Sequence, residues 1–175
     1  ETARIALAAG AHIVNDVWGL QREPGIGRLA AETGAGLVIM HTGREREKNP
    51  DVIADQFEFL NKSLQIARDA GVADEQIVLD PGFGFAKDSE ENLQLMARFG
   101  ELHALDFPWL VGTSRKRFVG YMSGKESEGR DAATAATSVA LRLKGADVFR
   151  VHNVAMNADA LVVADAIRAR DTTKY

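Results

Sequence analysis

The sequence has 175 residues, a mass of 19.0 kDa and a formal net charge of −4. Hydrophobic residues make up 46% of the chain and charged residues 26%, which is typical of a globular domain and excludes a disordered chain. The 25 acidic and 21 basic side chains form no basic stripe, which argues against a nucleic acid as partner. Because the chain has no cysteine, disulfides and thiolate metal sites are excluded.

Residues 1–10 have a helical pattern that ends at Gly10, but the segment has no starting methionine and no residue that could cap the helix. We therefore expect further sequence upstream. The apolar runs are too short to cross a bilayer, and no signal-peptide pattern is present. We expect a cytoplasmic protein without a membrane partner, folded as one domain over residues 1–175.

Five short apolar runs, each ending in polar residues, alternate with stretches of helical pattern. The predicted strands are residues 12–18, 37–41, 77–81, 109–114 and 147–152. The predicted helices are residues 25–33, 52–70, 90–103, 131–144 and 157–170. Strands that are apolar along their whole length are typical of a parallel sheet buried on both faces, so the alternation predicts an α/β fold.

Two α/β architectures fit this pattern, an open doubly wound sheet and part of a (β/α)8 barrel. Polar side chains follow nearly every predicted strand: Asn15, Asp16, His41, Asp80, Ser114, Arg150 and His152. In a barrel these side chains converge on one mouth, where active sites lie. Neither a G-x-G-x-x-G nor a Walker A pattern is present, which disfavours the nucleotide-binding sheets. We therefore predict an incomplete (β/α)8 barrel, because a full one usually needs about 250 residues.

The segment of residues 80–87, Asp-Pro-Gly-Phe-Gly-Phe-Ala-Lys, follows the third predicted strand. A carboxylate in this position can accept two hydrogen bonds from a planar ligand that carries two N–H groups. The alternative is an Asp80 that merely caps the next helix.

Three consecutive cations in residues 112–117 lie at the junction of a strand and a helix, where backbone N–H groups favour an anion. For Arg115 and Arg117 a solvated basic surface is the better interpretation, whereas Lys116 is a candidate for function. Arg150 and His152 lie on the same face of the last strand and could clamp a phosphate, although a histidine there could equally be structural.

Other polar residues have plainer interpretations. Asn15 is expected to be buried among valines, so its amide needs a partner in the backbone or in a ligand. The charges of residues 44–48 alternate in sign and predict a solvated loop. Residues 124–129 predict a long mobile loop. No group of residues has the spacing of a protein metal site.

Taken together, five segments resemble the dihydropteroate synthases, which are (β/α)8 enzymes of folate biosynthesis. The segments are residues 10–17, 39–41, 80–85, 112–116 and 150–152. The chain departs from the usual family sequence at residues 42–44, at Ala86 and at position 153, where it has Asn and the family usually has Asp. We expect these changes to affect loops and to leave the reaction unchanged.

The resemblance assigns roles to individual residues. The implied pterin-binding residues are Asn15, Met40, Asp80, Gly112 and Lys116. The implied p-aminobenzoate residues are Ser114 and Phe85, and the implied pyrophosphate residues are Arg150 and His152. The residues with a catalytic role are Lys116, Arg150 and His152.

The resemblance also implies the reaction. The family condenses 6-hydroxymethyl-7,8-dihydropterin pyrophosphate with p-aminobenzoate to give dihydropteroate and pyrophosphate, with Mg²⁺ accompanying the pyrophosphate and no metal ligand in this chain. Sulfonamides target such enzymes. A homodimer through the last helices is expected, and the alanine-rich stretches 132–140 and 158–166 allow it.

By the same comparison, the chain matches the C-terminal two-thirds of the family enzyme, from strand 4 to strand 8. The first three strands, two mobile loops, a pterin-binding Asp and an Asn near the pyrophosphate have no counterpart here. We therefore expect little activity from these residues alone, and an exposed strand edge at residues 13–18. Two alternatives are a methyltransferase that moves a methyl group from methyltetrahydrofolate to a corrinoid, and a pterin-binding fragment without catalysis. The methyltransferase would need neither residues 114–116 nor the Arg150/His152 clamp.

Overall fold

A computed structural model describes residues 1–170 of the chain, so the predicted domain of residues 1–175 extends five positions beyond them. The protein is α/β, with five strands and seven α-helices in this range. The strands are β1 (Ile13–Asp16), β2 (Gly36–Met40), β3 (Ile77–Asp80), β4 (Leu110–Val111) and β5 (Val148–Phe149). The helices are α1 (Thr2–Ala8), α2 (Gly25–Thr33), α3 (Val52–Asp69), α4 (Ser89–Ala97), α5 (Arg117–Ser123), α6 (Asp131–Leu143) and α7 (Val154–Arg168). None of these helices is both long enough and apolar enough to cross a membrane.

All strand pairs are parallel, and consecutive strands are neighbours. One sheet has the order β1-β2-β3, a second pairs β4 with β5, and a single bridge between Leu79 and Trp109 joins the two. The described strands therefore lie in chain order, without the reversal that marks an open doubly wound sheet. In the register of β2 and β3, Met40 lies opposite Asp80, which brings the polar ends of the two strands together.

The core explains why the central strands are apolar throughout. Four of the five residues of β2 are buried, because helices cover the sheet and neighbouring strands flank it. The ring of Trp109 packs edge-on against Phe99 at 5.6 Å between centroids, which closes the core beside β4. Helix α3 contributes nine buried residues and begins at Asp51, whose carboxylate accepts hydrogen bonds from the N–H groups of Ile53 and Ala54.

Strand β1 lies at the edge of the sheet and is more exposed than predicted. It pairs with β2 alone within the described residues, and Ile13 is 63% exposed. The prediction that Asn15 is buried among valines is wrong, since its side chain is exposed. The reason is that no described strand covers the other side of β1. The local sequence does not show which strands will be neighbours.

Several element boundaries also differ from the predictions. Helix α5 was not predicted, because its seven residues are too few to show a helical repeat. Strands β4 and β5 have two residues each and are shorter than the predicted strands of residues 109–114 and 147–152. Helix α4 ends at Ala97 and a 3₁₀ turn continues at Phe99–Leu105. A second 3₁₀ turn, Ser127–Arg130, occupies part of the predicted loop of residues 124–129.

A buried carboxylate holds the turn after β1. Asp16 accepts hydrogen bonds from the backbone N–H of Leu20 at 2.6 Å and from that of Trp18 at 3.2 Å. Leu20 is fully buried and has a φ of +64°, a left-handed conformation that a leucine adopts at some cost. The carboxylate therefore compensates the strain of this turn.

We predict that Asp16→Ala lowers the free energy of unfolding by about 1–3 kcal/mol, because it leaves the buried N–H of Leu20 without a partner. The measurement is urea denaturation followed by circular dichroism. Glu32→Ala, a change on the exposed face of α2, is the control and should stay within about 0.5 kcal/mol. Equal midpoints for the two variants would contradict this role of Asp16.

Candidate active site

Asp80, at the end of β3, is an almost fully buried carboxylate. It is 1% exposed, and its Oδ1 accepts a hydrogen bond from the N–H of Gly82 at 2.8 Å. Gly82 has a φ of +66°, and a Cβ at this position would lie 1.9 Å from the carbonyl oxygen of His41. Only glycine fits this turn, and the turn aims the other oxygen of Asp80 into the mouth.

Arg150 connects Asp80 to the first strand. Its Nη2 donates to Asp80 Oδ2 at 2.9 Å and its Nη1 donates to Asn15 Oδ1 at 2.6 Å. A Cβ on Gly112 would lie 2.8 Å from Arg150 Nη2, so a glycine at this position lets the guanidinium lie across the mouth. Asn15, Asp80 and Arg150, which are far apart in sequence, therefore form one connected cluster.

Lys116 lies on the other side of Asp80. Its ammonium donates to the carbonyl of Phe83 and sits 4.7 Å from the centre of the Phe85 ring. Burial lowers the pKa of Lys116 to about 8, and nearby Arg150 lowers it further while Asp80 opposes the shift. Lys116 is therefore a cation whose charge can be lost slightly above neutral pH.

Ser114 and His152 form the second cluster. Ser114 Oγ lies 2.8 Å from His152 Nδ1 and accepts a hydrogen bond from the backbone N–H of His152 at 3.1 Å. A pocket of about 260 Å³ opens here, and its lining residues are Gly112, Ser114, Lys116, Arg150, Val151 and His152. The lining contains two cations, a histidine and a hydroxyl but no carboxylate, so the pocket suits an anion. We call it the anion pocket.

Phe85 lines a separate and larger cleft of about 630 Å³. The guanidinium of Arg44 lies 4.8 Å from the centre of its ring, and Lys116 is shared between this cleft and the anion pocket. Arg117 and Tyr121 line the cleft as well, whereas Ser114 does not. Ser114 and Phe85, which the resemblance assigns to the same ligand, are thus placed in different pockets.

The turn that carries Ser114 and Lys116 is held by one ion pair and by hydrogen bonds around it. Arg115 has a φ of +57°, and its guanidinium binds both oxygens of Asp131 at 2.8 and 3.0 Å. Arg130 donates to the carbonyl of Arg115 at 2.9 Å. The prediction that Arg115 belongs to a solvated basic surface is therefore wrong, while Arg117 is exposed as predicted. Asn153 donates to Asp131 as well, at 3.0 Å.

A buried polar cluster behind Asp80 was missed in the sequence. His41 is fully buried, with Nε2 2.9 Å from Asp55 Oδ2, and Arg46 binds both oxygens of Asp55 at 2.8 and 2.6 Å. Lys87 lies 2.9 Å from His41 Nδ1. Residues 44–48 were predicted to form a solvated loop, which is wrong for Arg46 and also for Lys48, whose ammonium donates to the carbonyl of Ala86 at 3.0 Å. The alternating charges give no signal of these partners.

The two remaining questions are where Met40 lies and whether the side chains could hold a metal ion. Met40 is fully buried beneath the Gly82 turn. In residues 1–170 the structure has no group of three or more His, Asp or Glu side chains that could hold a metal ion. The side chains that line the anion pocket carry positive charge and do not fit a magnesium ion by themselves.

Comparisons with known proteins agree on one family. Residues 1–152 match the family described as pterin binding enzyme. The chain is 40% identical over 162 residues to the dihydropteroate synthase of Bacillus subtilis, which covers 93% of this chain and 56% of that protein.

Solved structures give the same result. A dihydropteroate synthase from Clostridium difficile, crystallised in the presence of pteroic acid, superposes with a TM-score of 0.91 at 38% identity and covers 94% of this chain and 63% of its own. The enzyme from Xanthomonas albilineans in complex with 7,8-dihydropteroate superposes with a TM-score of 0.89 at 37% identity, over 97% of this chain and 66% of its own. The chain thus spans less than two thirds of the length of these relatives. Because the family match extends over most of its residues, the chain belongs to the pterin binding enzymes.

Proposed function

We propose that this protein is a dihydropteroate synthase, which joins 6-hydroxymethyl-7,8-dihydropterin pyrophosphate to p-aminobenzoate and releases pyrophosphate. The observation that carries the proposal is the position of Arg150. Its guanidinium contacts both candidate pterin anchors, Asp80 and Asn15, and also lines the anion pocket. A pterin that carries a diphosphate would occupy both places at once. A corrinoid methyltransferase would have no use for the anion pocket.

We also propose that the five βα units are an arc of a (β/α)8 barrel, matching strands 4 to 8 of the family. The support is that consecutive strands are neighbours and that the polar side chains cluster at their carboxyl ends. Both observations fit a barrel better than a doubly wound sheet.

In the proposed pterin site, Asp80 accepts two hydrogen bonds from the N–H groups of the ring, and Asn15 binds the opposite edge. Met40 and Gly112 form the walls and Lys116 closes the side toward Phe85. Because Arg150 binds Asp80 Oδ2, a pterin that uses the same oxygen makes the guanidinium move. The diphosphate then offers Arg150 a new partner in the anion pocket.

The proposed reaction is a displacement at the pterin methylene. The C–O bond breaks and its electron pair leaves with the diphosphate, whose growing charge Arg150, His152 and Lys116 stabilise. The amine nitrogen of p-aminobenzoate then forms the new C–N bond and loses a proton. The family resemblance implies Mg²⁺ together with the diphosphate, but the positively charged lining does not favour the ion, and we assign it no step.

The geometry changes one assignment in the aryl site. The resemblance gives Phe85 and Ser114 to p-aminobenzoate, yet the Ser114 hydroxyl is bonded to His152 in the anion pocket. We therefore assign the aryl ring to the cleft beside Phe85 and give Ser114 the task of orienting His152. Sulfonamides, which resemble p-aminobenzoate, would compete in the same cleft.

A homodimer and a cytoplasmic location remain part of the proposal. On helix α7 the exposed apolar side chains Met156, Val163 and Ile167 recur at intervals of seven and four residues, which places them on one face. An exposed apolar face on one helix is typical of an interface, and in a two-fold dimer the same face of a second copy would cover it.

The reaction itself is tested by release of pyrophosphate from the pterin substrate. In a protein with the complete barrel we expect release that depends on added p-aminobenzoate and that is absent when the pterin lacks the diphosphate, and from residues 1–175 alone we expect little release. Methyl transfer from methyltetrahydrofolate to a corrinoid would support the methyltransferase instead. Pterin binding without either activity would identify these residues as a non-catalytic pterin-binding fragment.

Variants of Asp80 and Arg150 should affect the binding of pterin and of pyrophosphate differently. We predict that Asp80→Ala lowers the affinity for 6-hydroxymethylpterin by about 100-fold or more, because it removes both acceptors. Arg150→Ala should leave this affinity unchanged or raise it, because a competing partner of Asp80 is lost, and should lower the affinity for pyrophosphate by about tenfold or more. Calorimetry measures both. Arg142→Ala, which removes a guanidinium paired with Asp165 outside both pockets, is the control.

The charge of Lys116 gives the anion pocket a pH dependence. Since burial lowers its pKa to about 8, Lys116 is charged below this pH and becomes neutral above it. We predict that the affinity for sulfate, whose own charge is constant here, falls by about tenfold from pH 7 to 9.5. In Lys116→Met the affinity should be lower at pH 7 and nearly independent of pH over this range. An equal fall in sulfate affinity between pH 7 and 9.5 in both proteins would exclude Lys116 as the cause of the pH dependence.

A further inference from the structure

The cluster behind Asp80 contains an amine with two defined acceptors. Lys87 Nζ lies 2.9 Å from His41 Nδ1 and donates to the carbonyl of Gly82 at 3.1 Å. Burial lowers the pKa of Lys87 to about 7, although the carboxylates of Asp55 and Asp80 oppose the shift. A neutral amine still has two N–H groups, one for each acceptor, so both contacts are available in either protonation state.

These contacts involve both nitrogens of the His41 ring. Nδ1 lies 2.9 Å from Lys87 Nζ, and Nε2 lies 2.9 Å from both Asp55 Oδ2 and Arg46 Nη2. The ring is therefore held on both sides, by the amine on one and by the Asp55–Arg46 pair on the other. Burial lowers the pKa of His41 to about 3, which keeps the ring neutral.

Asp55 anchors the far end of this chain of hydrogen bonds. Burial by itself raises the pKa of Asp55, but hydrogen bonds from His41, Arg46 and the N–H of Asn49 outweigh it and hold the pKa well below its usual range. Asp55 therefore stays ionised, with Arg46 bound to both of its oxygens. A carboxylate with this many donors is a rigid support for the His41 ring.

Gly82 links the cluster to the pterin anchor. Its N–H donates to Asp80 Oδ1 at 2.8 Å, while its carbonyl accepts from Lys87 and from the N–H of Phe85 at 3.0 Å. The close approach of the His41 carbonyl to the Cα of Gly82 leaves no room for the peptide to shift toward β2. The two sides of one residue thus connect Lys87 to the carboxylate of Asp80.

We propose that Lys87 is a positioning residue for pterin binding, which acts by fixing Gly82 and through it the orientation of the Asp80 carboxylate. The proposal rests on the proposed function, since it takes Asp80 as the pterin anchor. His41, Asp55 and Arg46 hold the amine in place. Lys87 itself touches the turn and not the pterin.

The first test compares Lys87→Met with Lys48→Met. Both replace an ammonium that binds a backbone carbonyl of the same loop, but Lys48 binds Ala86 and the carboxylate of Glu91, neither of which is hydrogen-bonded to Asp80. We expect Lys87→Met to lower the calorimetric affinity for 6-hydroxymethylpterin by about tenfold or more, and Lys48→Met to change it by less than about twofold. The measurements are made at a temperature where circular dichroism shows every protein to be folded. Wild-type affinity in Lys87→Met would overturn the proposal and leave the proposed function intact.

The second test needs no variant and no ligand. The ¹³C signal of the Gly82 carbonyl should change with pH with the same midpoint as the ¹⁵Nζ signal of Lys87, because the amine donates to this carbonyl. A Gly82 carbonyl signal that does not follow the titration of Lys87 would overturn the proposal even where Lys87→Met fails to fold.

The amide of Gly82 provides a third readout. Its proton signal should move upfield in Lys87→Met and stay in place in Lys48→Met, because only the first change loosens the bond to Asp80. If the wild-type chain binds no pterin, the proposed function fails in this chain. The amide proton signal of Gly82 then decides separately whether Lys87 positions Gly82. A signal that does not move in Lys87→Met would reject the proposal.

Discussion

The carboxylate of Asp80 is the interaction on which the arrangement of the mouth depends. A charge that is almost fully buried is costly unless hydrogen bonds compensate it, and Asp80 has one partner on each side. Gly82 provides a backbone N–H that requires a left-handed turn, and Arg150 provides a guanidinium that requires a glycine beneath it. The glycines at positions 82 and 112 therefore serve the same carboxylate, although they belong to different βα units.

Arg150 gives the site its coupling between two kinds of ligand. It binds the two proposed pterin anchors and also lines the pocket that suits a diphosphate. A neutral pterin would compete with Arg150 for Asp80, whereas a pterin diphosphate brings a new partner for the guanidinium that it displaces. In the proposed function, Arg150 would thus favour the pterin diphosphate over the pterin without it.

The sequence predicted the parts of the structure that repeat along the chain. The boundaries of α2 were predicted correctly, and those of α6 to within one residue. These helices have regular apolar patterns, and the strands between them are continuous apolar runs. Prediction failed where the environment comes from distant residues. Asn15 is exposed because it lies on an edge strand, and Arg115 is paired because Asp131 lies beside it in space.

By itself, the sequence determined the α/β class, the candidate polar residues at the strand ends and, through the order of its motifs, the family. Local patterns suffice for these because backbone periodicity and motif wording are properties of neighbouring residues. Only the tertiary structure decided which candidates meet. It joined Asn15, Asp80 and Arg150 in one cluster, paired Ser114 with His152, and revealed the buried support behind Asp80. Such pairings arise where parallel strands and their loops pack together. They cannot be predicted from local sequence patterns, because the paired residues are far apart in the chain.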